Sequence, residues 1–473
     1  MNDPNGMVYY KGVYHLFYQY YPSATVWGPM HWGHATSTDL VHWHPMPIAL
    51  YPDKKIGRSE VQGMIFSGSV VFDQYNTSGL GSRMRPPMVA VYTLADTFGA
   101  GSGQRQAIAY STDSGVTWKK YTGNPVIPYN HQETFRDPQV MWFGGQSKWV
   151  MVISCGDKVC FYNSPDLKQW HLVGDFGKTE SGIGVPWECP DLFPLQVMRN
   201  GKIEKKWVLV VSVQHGAPNG SFGTRYFVGD FDGKAFTDSA LSSDSKWIDY
   251  GGDYYAARTW VPSSAKLQHR VLLGWMANWT YAKDLPATTY RGSMTVPREL
   301  TLRFDGSGYY LAQRPVRSVL QGLAPHRTAI VIDSTYAYRS VTTGPAAEID
   351  VNFKRTADNS AFVVDLFKSG NQQVSIAYDA VKSEISVDRR SYAGYQFPAA
   401  ESFQHAPVAL KDGHLKAQIL LDRGSVELFV NDGKVTFTNL VYPKETLTET
   451  VVVEMPGKNP PPTGVTEAKV LAH

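Results

Sequence analysis

The feature that most constrains the fold is a degenerate repeat in the first three hundred residues of the chain. Each copy is a run typical of a β-strand, then an Asp-centred turn, then an aromatic residue that starts the next strand. The copies cover residues 34–43, 109–118, 161–170 and, more loosely, 227–236. Such spacing is typical of propeller blades of four strands with insertions. The length of the region predicts about five blades, one too divergent to recognise, and the repeated Asp residues are assigned to the scaffold.

The rest of this region also reads as short strands broken by turns. Apolar and aromatic runs recur, among them residues 63–66, 88–92, 149–153 and 207–211. No long stretch has the 3.6-residue period of an amphipathic helix. The sequence therefore predicts an all-β fold that begins with a five-bladed β-propeller over residues 1–308.

The pattern of apolar and polar residues changes after a predicted linker over residues 309–326, which includes one short helix. Apolar and polar residues alternate at 347–353 and 384–388, and an Asp-Gly pair at 432–433 is a strong hairpin signal. This pattern predicts a C-terminal β-sandwich over residues 327–473. It contains no catalytic constellation, and we expect it to cover and stabilise one face of the propeller.

Composition excludes several classes of function. The net charge is +3 and the chain has no polybasic run, so nucleic acid is not an expected partner. No apolar stretch approaches the roughly 20 residues of a membrane span. The three cysteines form no CxxC motif and no His/Cys cluster, so we expect neither a metal nor another cofactor.

Three short motifs place a carboxylate among turn or aromatic residues. They are Met-Asn-Asp-Pro-Asn-Gly at residues 1–6, Phe-Arg-Asp-Pro at 135–138 and Trp-Glu-Cys-Pro at 187–190. Alone, the first reads as an ordinary tight turn. Together with Phe-Ser-Gly-Ser at 66–69, the ordered set resembles glycoside hydrolase family 32, which comprises invertases, levanases, inulinases and related fructosyltransferases. The resemblance covers nearly the whole chain.

This resemblance implies a retaining β-fructofuranosidase that hydrolyses terminal non-reducing β-D-fructofuranosyl residues of sucrose, inulin and levan. Asp3 matches the family's nucleophile, Glu188 its general acid/base, and Asp137 the carboxylate that holds sugar hydroxyls. Retaining glycosidases need two carboxyl groups about 5 to 5.5 Å apart. A propeller gathers the inner strands of all its blades around one axis, so three carboxylates distant in sequence can share a pocket.

By motif position, eight further side chains are expected to bind the fructosyl unit. They are Asn2, Gln19, Trp27, Phe66, Ser67, Arg136, Tyr255 and Trp279. For Trp27, Phe66 and Trp279 a place in the hydrophobic core is the alternative. Cys189 is expected to pack beside the acid/base and to tune its environment.

Two other classes of propeller remain as alternatives. Residues 111–118 fit the Asp-box pattern of sialidases, but a sialidase also needs an arginine cluster and a tyrosine nucleophile. A non-catalytic sugar-binding propeller is disfavoured because all three carboxylates are intact. Within the fructosidase reading, a fructosyltransferase would share the same carboxylates, and residues 58–60 could form the rim that selects an acceptor. The only expected partners are small sugars, and the sequence does not indicate an oligomeric state.

Several features bear on cellular location. The chain starts inside a catalytic motif, where a fraying terminus would hold Asp3 poorly, so we expect a signal peptide and a short mature segment before Met1. The protein is then secreted. Sequons at Asn76, Asn219 and Asn278 would permit N-glycosylation in a eukaryotic secretory pathway. Cys155 and Cys160 flank a predicted hairpin turn, and the sequence leaves open whether they form a disulfide.

Overall fold

Strands make up nearly all the regular structure of this protein. The computed structural model describes residues 1–56, 60–96, 103–129, 134–177, 186–218, 222–239, 246–262, 270–287, 289–332, 338–342, 346–356, 360–369, 372–391, 395–442 and 450–454. The helices are α1 (Arg317–Leu323), α2 (Ala399–Ser402) and the 3₁₀ turns Gly144–Gln146 and Ala324–His326. Within these ranges no helix has the length and apolar character needed to cross a membrane. The predicted all-β class is confirmed.

The first 315 residues form five sheets that follow one another along the chain. The first sheet holds β1 (Pro4–Tyr10), β2 (Val13–Tyr20), β3 (His31–Ser37) and β4 (His44–Leu50). After the small hairpin of β5 (Lys54–Ile56) and β6 (Glu60–Gln62), the second holds β7 (Met64–Phe72), β8 (Met88–Ala95), β9 (Gln104–Ser111) and β10 (Lys119–Lys120). The third holds β11 (Phe135–Phe143), β12 (Lys148–Cys155), β13 (Val159–Ser164) and β14 (His171–Phe176).

The fourth and fifth sheets each carry a short additional strand. The fourth holds β15 (Trp187–Arg199), β16 (Lys202–Val213), β17 (Gly223–Phe231), β18 (Phe236–Asp238) and β19 (Lys246–Trp247). The fifth region holds β20 (Tyr255–Thr259), β21 (Val261–Pro262), β22 (Arg270–Met276), β23 (Ser293–Met294), β24 (Arg298–Phe304) and β25 (Tyr309–Pro315). Of these, β21 leaves its neighbours and pairs in parallel with β1 of the first sheet.

The five sheets close into a ring. The first strand of each sheet contacts the first strand of the next, in the order β1, β7, β11, β15 and β20, and β20 contacts β1 again. The pairing of β21 with β1 joins the two ends of the ring. Within each sheet the strands run outward in chain order, since hairpins connect neighbours. One end of all five first strands therefore faces a common axis.

An Asp-centred turn joins the third and fourth strands of every sheet. The aspartates are Asp39, Asp113, Asp166, Asp232 and Asp305. In the first three turns a Trp indole N–H donates to the carbonyl of a residue at positive φ, as Trp118 does to Gly115 at 3.0 Å. The four recognised copies thus correspond to equivalent turns, and the copy that escaped recognition is Asp305-Gly306-Ser307-Gly308.

The end of the ring lies later in the chain than predicted. The expected boundary at residue 308 is wrong, because Tyr309–Pro315 pairs along its whole length with β24 as the outermost strand of the fifth sheet. The connection starts only at Val316 and includes α1. The place of this segment in the sheet depends on its pairing with β24, which the sequence of the segment alone does not show.

Two further sheets follow. Their strands are β26 (Arg327–Ile332), β27 (Tyr338–Thr342), β28 (Ala347–Lys354), β29 (Ala361–Ser369), β30 (Gln372–Asp379), β31 (Glu384–Asp388), β32 (Phe403–Pro407), β33 (His414–Asp422), β34 (Ser425–Val430), β35 (Val435–Leu440) and β36 (Thr450–Glu454). One sheet has the order β26-β28-β33-β34-β35 and the other β27-β36-β29-β30-β31-β32. Apolar side chains of both pack into one core. The alternation predicted at 347–353 and 384–388 lies in β28 and β31, and the Asp-Gly pair lies in the β34–β35 hairpin.

The structure also decides the cysteine and sequon questions. Cys155 and Cys160 form a disulfide across the β12–β13 turn, and Cys189 is a buried free thiol. Asn278 is 1% exposed and its amide donates to the carbonyl of Gly252, so it cannot carry a glycan. The Asn76 amide donates to and accepts from the backbone of Gly81, so this side chain is also engaged. Asn219 lies outside the described residues, and for Asn278 the expected glycosylation is wrong.

Candidate active site

Each first strand delivers a predicted site residue at the same end of the ring. Asp3 stands directly before β1, Glu188 is the second residue of β15, and Tyr255 opens β20. Arg136 and Asp137 lie near the start of β11, as Phe66 and Ser67 do in β7. Because the five strands contact one another around the axis, residues separated by more than a hundred positions converge.

A bulge interrupts the pairing of all five first strands at this end. The register shifts fall at Asn5/Val8, Phe66/Gly68, Arg136/Gln139, Glu188/Asp191 and Tyr255/Arg258. Three of the bulges hold a non-glycine residue at positive φ, namely Asp137, Cys189 and Ala256. Bulges re-aim side chains, and backbone held in such conformations is concentrated at functional sites. The local irregularity thus turns these side chains toward the axis.

The side chains surround one cavity of about 420 Å³. Its walls are Asn2, Asp3, Gln19, Trp27, Phe66, Ser67, Arg136, Asp137, Glu188, Gln214, Phe222 and Trp279. Ten of the eleven predicted site residues therefore meet there, and Tyr255 stands behind the wall. Gln214 and Phe222 were not predicted, since neither belongs to an acidic motif. Both flank the β16–β17 connection, which the pairing of Glu188 with Ser212 brings beside the site.

Glu188 receives hydrogen bonds on both carboxylate oxygens. Arg136 donates to Oε1 through Nε at 3.0 Å and through Nη2 at 2.7 Å. On Oε2, the Gln214 amide donates at 3.0 Å and the Tyr255 hydroxyl also donates. Arg136 and Glu188 are each about one-seventh exposed, so this charge-assisted pair is shielded from water. Three separate sheets thus hold one carboxylate in a single orientation.

Asp137 is buried, and hydrogen bonds from neighbouring strands fix both its side chain and its backbone. Its Oδ2 accepts from the backbone N–H of Cys189 at 3.0 Å and lies 3.7 Å from the Cys189 thiol. Its backbone carbonyl accepts from Arg258 at 3.0 Å, and its N–H donates to the Thr93 hydroxyl at 3.1 Å. Burial, together with Asp137, raises the pKa of the Cys189 thiol. Cys189 therefore stays protonated and packs beside the acidic groups as expected.

Asp3 lies in an environment that disfavours its charged form. Its Oδ1 is buried and has no hydrogen-bond partner among the residues that the structure describes. Burial, with the negative charges of Glu188 and Asp137, raises the pKa of Asp3 to about 7. Burial also raises the pKa of Asp137, against the opposing charge of Arg136. The charges of Glu188 and Asp137 act on Asp3, and the charge of Glu188 also acts on Asp137, so these acids share one electrostatic environment.

The aromatic walls differ in exposure. Trp27 is 49% exposed and its ring meets Phe66 edge-on at a centroid distance of 6.3 Å, so the alternative core position for Trp27 is excluded. Trp279 packs on Trp275 at 4.6 Å and presents its other side to the cavity. Aromatic faces beside polar groups are the usual surface for stacking a sugar ring. Of the rim residues 58–60, Arg58 and Ser59 lie outside the described residues.

Comparisons with known proteins agree over the whole chain. The family model "Glycosyl hydrolases family 32 N-terminal domain" matches residues 1–315, and "Glycosyl hydrolases family 32 C terminal" matches residues 320–470. A levanase of Bacillus subtilis is 44% identical over 449 residues, which are 94% of this chain and 64% of the levanase. An extracellular exo-inulinase of Aspergillus niger is 39% identical, with 94% of this chain and 87% of that protein covered.

A solved structure is similar over nearly the same span. The crystal structure of exo-inulinase from Aspergillus awamori matches with a TM-score of 0.86 and 35% identity, covering 97% of this chain and 93% of that one. Its match extends over both the ring of five sheets and the two later sheets.

Proposed function

The chain belongs to glycosyl hydrolase family 32, and from this premise we propose that it is a retaining β-fructofuranosidase. It removes terminal non-reducing β-D-fructofuranosyl residues from sucrose and from the fructans inulin and levan. The observation that carries the proposal is the meeting of Asp3, Asp137 and Glu188 in one cavity, each at the inner end of a different sheet. The named levanase and exo-inulinase relatives support the substrate class.

In this proposal the five sheets of residues 1–315 are the blades of a five-bladed β-propeller. The two sheets that follow form a β-sandwich. The closed ring of first strands supports five blades, because a ring of four-stranded sheets is the propeller arrangement. The shared core of the last two sheets supports the sandwich.

The first chemical step forms a fructosyl-enzyme. One Asp3 carboxylate oxygen attacks the anomeric carbon of the bound fructosyl unit as the glycosidic bond to the leaving oxygen breaks. Glu188 gives its proton to that oxygen, so an alcohol departs, which is glucose when sucrose is the substrate. Two carboxyl groups divide these roles in retaining glycosidases, and the transition state resembles an oxocarbenium ion.

The second step returns the enzyme to its starting state. Glu188, now a carboxylate, takes a proton from water as the water oxygen attacks the anomeric carbon. The bond to Asp3 breaks and fructose leaves with retained configuration. The Arg136, Gln214 and Tyr255 side chains hold the Glu188 carboxyl group in place. Positioning of this kind lowers the barrier because the reacting groups need not reorganise.

The remaining wall residues bind the sugar. The Cys189 N–H occupies Oδ2 of Asp137, which leaves the other oxygen to accept a sugar hydroxyl. Asn2 lies just before β1, and Gln19 lies in β2. The Asn2 backbone N–H donates to the Gln19 carbonyl at 3.0 Å, which holds the two residues side by side. Their amides, with Ser67, supply hydrogen bonds to ring hydroxyls, and Trp27, Phe66 and Trp279 supply apolar surface.

Product analysis over time tests this function. Purified protein is incubated with sucrose, inulin and levan, each at low and high concentration, and the sugars are separated and quantified. We expect free fructose from all three, with little oligosaccharide even at high sucrose. Glucose released well ahead of fructose, with longer fructosides growing in, would instead identify a fructosyltransferase. No release from any of the three would refute fructosidase activity.

We also propose that the protein is secreted. A named relative is an extracellular exo-inulinase, and a disulfide such as Cys155–Cys160 persists in oxidising compartments. Fractionating a producing culture tests this location, with sucrose-cleaving activity expected outside the cells. Activity retained in the cell extract would contradict it.

A further inference from the structure

One buried arginine of the C-terminal sheets reaches into the ring just behind the active site. Arg389 follows β31, and its side chain is fully buried. The guanidinium donates to the carbonyls of Glu401 and Leu440 on its own side of the interface. On the ring side it donates to Asp253 at 2.5 Å and to the Tyr281 hydroxyl at 3.0 Å. A planar fork with five donors suits such a junction.

Asp253 and Tyr281 form a closed network with this arginine. The Tyr281 hydroxyl donates to Asp253 Oδ1 at 2.5 Å, and the Leu440 N–H donates to Oδ2 at 2.8 Å. Asp253 is fully buried, so these donors, and not bulk water, satisfy its carboxylate oxygens. Removing one partner of a buried ion pair leaves an uncompensated charge and is strongly destabilising locally.

Each ring-side partner lies two residues from a residue of the active site. Asp253 precedes Tyr255, whose hydroxyl donates to Glu188. Tyr281 follows Trp279, which forms part of the cavity wall. The turn around Tyr281 is tied to the segment around Asp253, since the Asn278 amide donates to the Gly252 carbonyl at 3.0 Å. A single guanidinium thus joins the two segments that carry Tyr255 and Trp279.

We propose that Arg389 is a positioning residue for the active site. Through Asp253 and Tyr281 it sets where Tyr255 meets the acid/base Glu188 and where Trp279 faces the sugar. The C-terminal domain then does more than cover one face of the ring, because it also fixes the position of two residues at the active site. The inference rests on the proposed function, because it assigns Glu188 the acid/base role.

A second buried arginine at the same interface offers a matched control. Arg298 donates to Asp249 at 2.9 Å and, across the interface, to Glu427 at 2.7 Å and Thr438 at 2.6 Å. It is as buried as Arg389 and also neutralises buried carboxylates. Its guanidinium lies over the Tyr254 ring, 4.9 Å from the centroid, but its hydrogen bonds reach neither residues 252–256 nor residues 278–282 among those described. Loss of Arg298 should therefore weaken the interface and the packing of Tyr254, while the hydrogen bonds that fix the Tyr255 and Trp279 segments stay in place.

The test compares Arg389→Met, Arg389→Lys, Tyr281→Phe and Arg298→Met with the wild type. For each we would measure Tm, kcat and KM on sucrose, and the pH dependence of kcat. Displacement of a catalytic group by about 1 Å costs up to about 100-fold, so we expect kcat of Arg389→Met to fall by that order. Arg389→Lys should recover part of the loss, since an ammonium still neutralises Asp253. The pH profiles of both should shift, because Tyr255 contacts the acid/base.

The control sets the outcome that overturns the proposal. Arg298→Met should lower Tm while its kcat and pH profile match the wild type. If Arg389→Met and Arg298→Met lose activity only in proportion to Tm, or if Arg389→Met keeps its kcat and pH profile, Arg389 is merely structural. Should Arg389→Met fail to fold, Tyr281→Phe decides, because it removes the hydroxyl's three hydrogen-bond contacts, with Asp253, Gly252 and Arg389, and leaves the Arg389–Asp253 ion pair in place. An unchanged kcat and pH profile in Tyr281→Phe would then refute the proposal.

Hydrogen exchange separates this proposal from the proposed function. Backbone exchange is followed in peptides that cover residues 252–256 and 278–282, in Arg389→Lys and Arg298→Lys. Faster exchange in both peptides of Arg389→Lys alone supports the positioning role, even if the wild type shows no activity on sucrose. Equal exchange in the two variants overturns it.

Discussion

Aspartates occupy two regions of the ring and have opposite electrostatic environments there. In the outer turns, backbone N–H groups surround the carboxylate: those of Ala235 and Lys234 both donate to Asp232 at 2.8 Å and lower its pKa. At the inner ends of the first strands, burial and the neighbouring acids raise the pKa of Asp3 to about 7. The charged form of an aspartate is thus stabilised at the outer edge of the ring and destabilised on its axis.

The difference follows from the supply of donors. A tight turn points several N–H groups at one carboxylate, which satisfies it and makes the turn a scaffold. The inner ends bring three carboxylates together, and Asp3 keeps one oxygen without a partner among the described residues. Perturbed acids that cluster in a cavity mark a functional site. Between Asp232 and Asp3, two residues of the same type, the supply of donors therefore distinguishes the scaffold acid from the acid on the axis.

Exchanging one acid from each region for its amide should give the largest contrast. Asp3→Asn removes the nucleophile, so kcat on sucrose should fall by several orders of magnitude with the fold intact. Asp166→Asn keeps an acceptor oxygen for the N–H groups of Lys168 and Gln169 and should leave kcat unchanged. Steady-state kinetics with circular dichroism as the folding check would measure both. Near-normal turnover in Asp3→Asn would show that the role assignment is wrong.

The next largest effect concerns the acid/base. General acid–base catalysis contributes typically about 10²- to 10⁴-fold, so Glu188→Gln should lose about that much kcat on sucrose. An aryl β-fructofuranoside, whose phenolate leaves without a proton, should lose less in the first step. Burst kinetics on the aryl substrate would reveal the accumulated fructosyl-enzyme. Equal losses on both substrates with no burst would contradict an acid role for Glu188.

The raised pKa of Asp3 also predicts how stability depends on pH. The unfolded chain has an ordinary value of 3.8, so between about pH 4 and 7 the folded protein binds a proton that the unfolded chain releases. Because Asp3 ionises in the unfolded chain before it does so in the folded protein, the free energy of unfolding falls as the pH rises through this window. Asn cannot ionise, so Asp3→Asn should have the larger free energy of unfolding at pH 8.

Urea denaturation of the wild type and Asp3→Asn at pH 4, 6 and 8 would measure this dependence. The gap between the two proteins should shrink toward zero at pH 4. A gap that is constant with pH would mean that Asp3 is not strained by its neighbours, and the two regions would then not differ as argued.

The smallest effect should come from an outer turn. Asp113 accepts from the Thr117 N–H at 3.0 Å and from the hydroxyls of Thr117 and Ser111 at 2.6 and 2.7 Å. A typical hydrogen bond contributes about 1 kcal/mol, and this turn is exposed, so Asp113→Ala should lower the free energy of unfolding by about 1 kcal/mol. Activity should not change. A loss of kcat at unchanged stability would contradict the assignment of Asp113 to the scaffold.

Much of the fold could be predicted because its signals are local. Turn chemistry and strand runs identified four of the five Asp turns, and the period-2 alternation in β28 and β31 identified the C-terminal sheets. The fifth turn, at Asp305, was missed although Tyr309 follows it as the aromatic residue that starts the next strand. Tyr309–Pro315 was taken for a linker, since membership of a sheet depends on a partner strand and not on the segment alone.

The three acids that line the cavity could be singled out from the sequence, since each lies in a short motif that the family resemblance marks. Gln214 and Phe222 could not, because they reach the cavity only through the pairing of β15 with β16. Tyr255 was expected against the sugar, and the structure places it behind the wall with its hydroxyl on Glu188.

The sequence by itself determined the all-β class and the repeated turns, because strand periodicity and turn chemistry act over a few residues, and its resemblance to a known family singled out the three carboxylates. Tertiary structure alone decided the shifted pKa of Asp3, the double anchoring of Glu188 and the reach of Arg389. These depend on desolvation and on charges more than fifty positions apart, which meet only when the ring closes and the C-terminal sheets dock. Electrostatic energies are sums over such neighbours, and no local pattern encodes them.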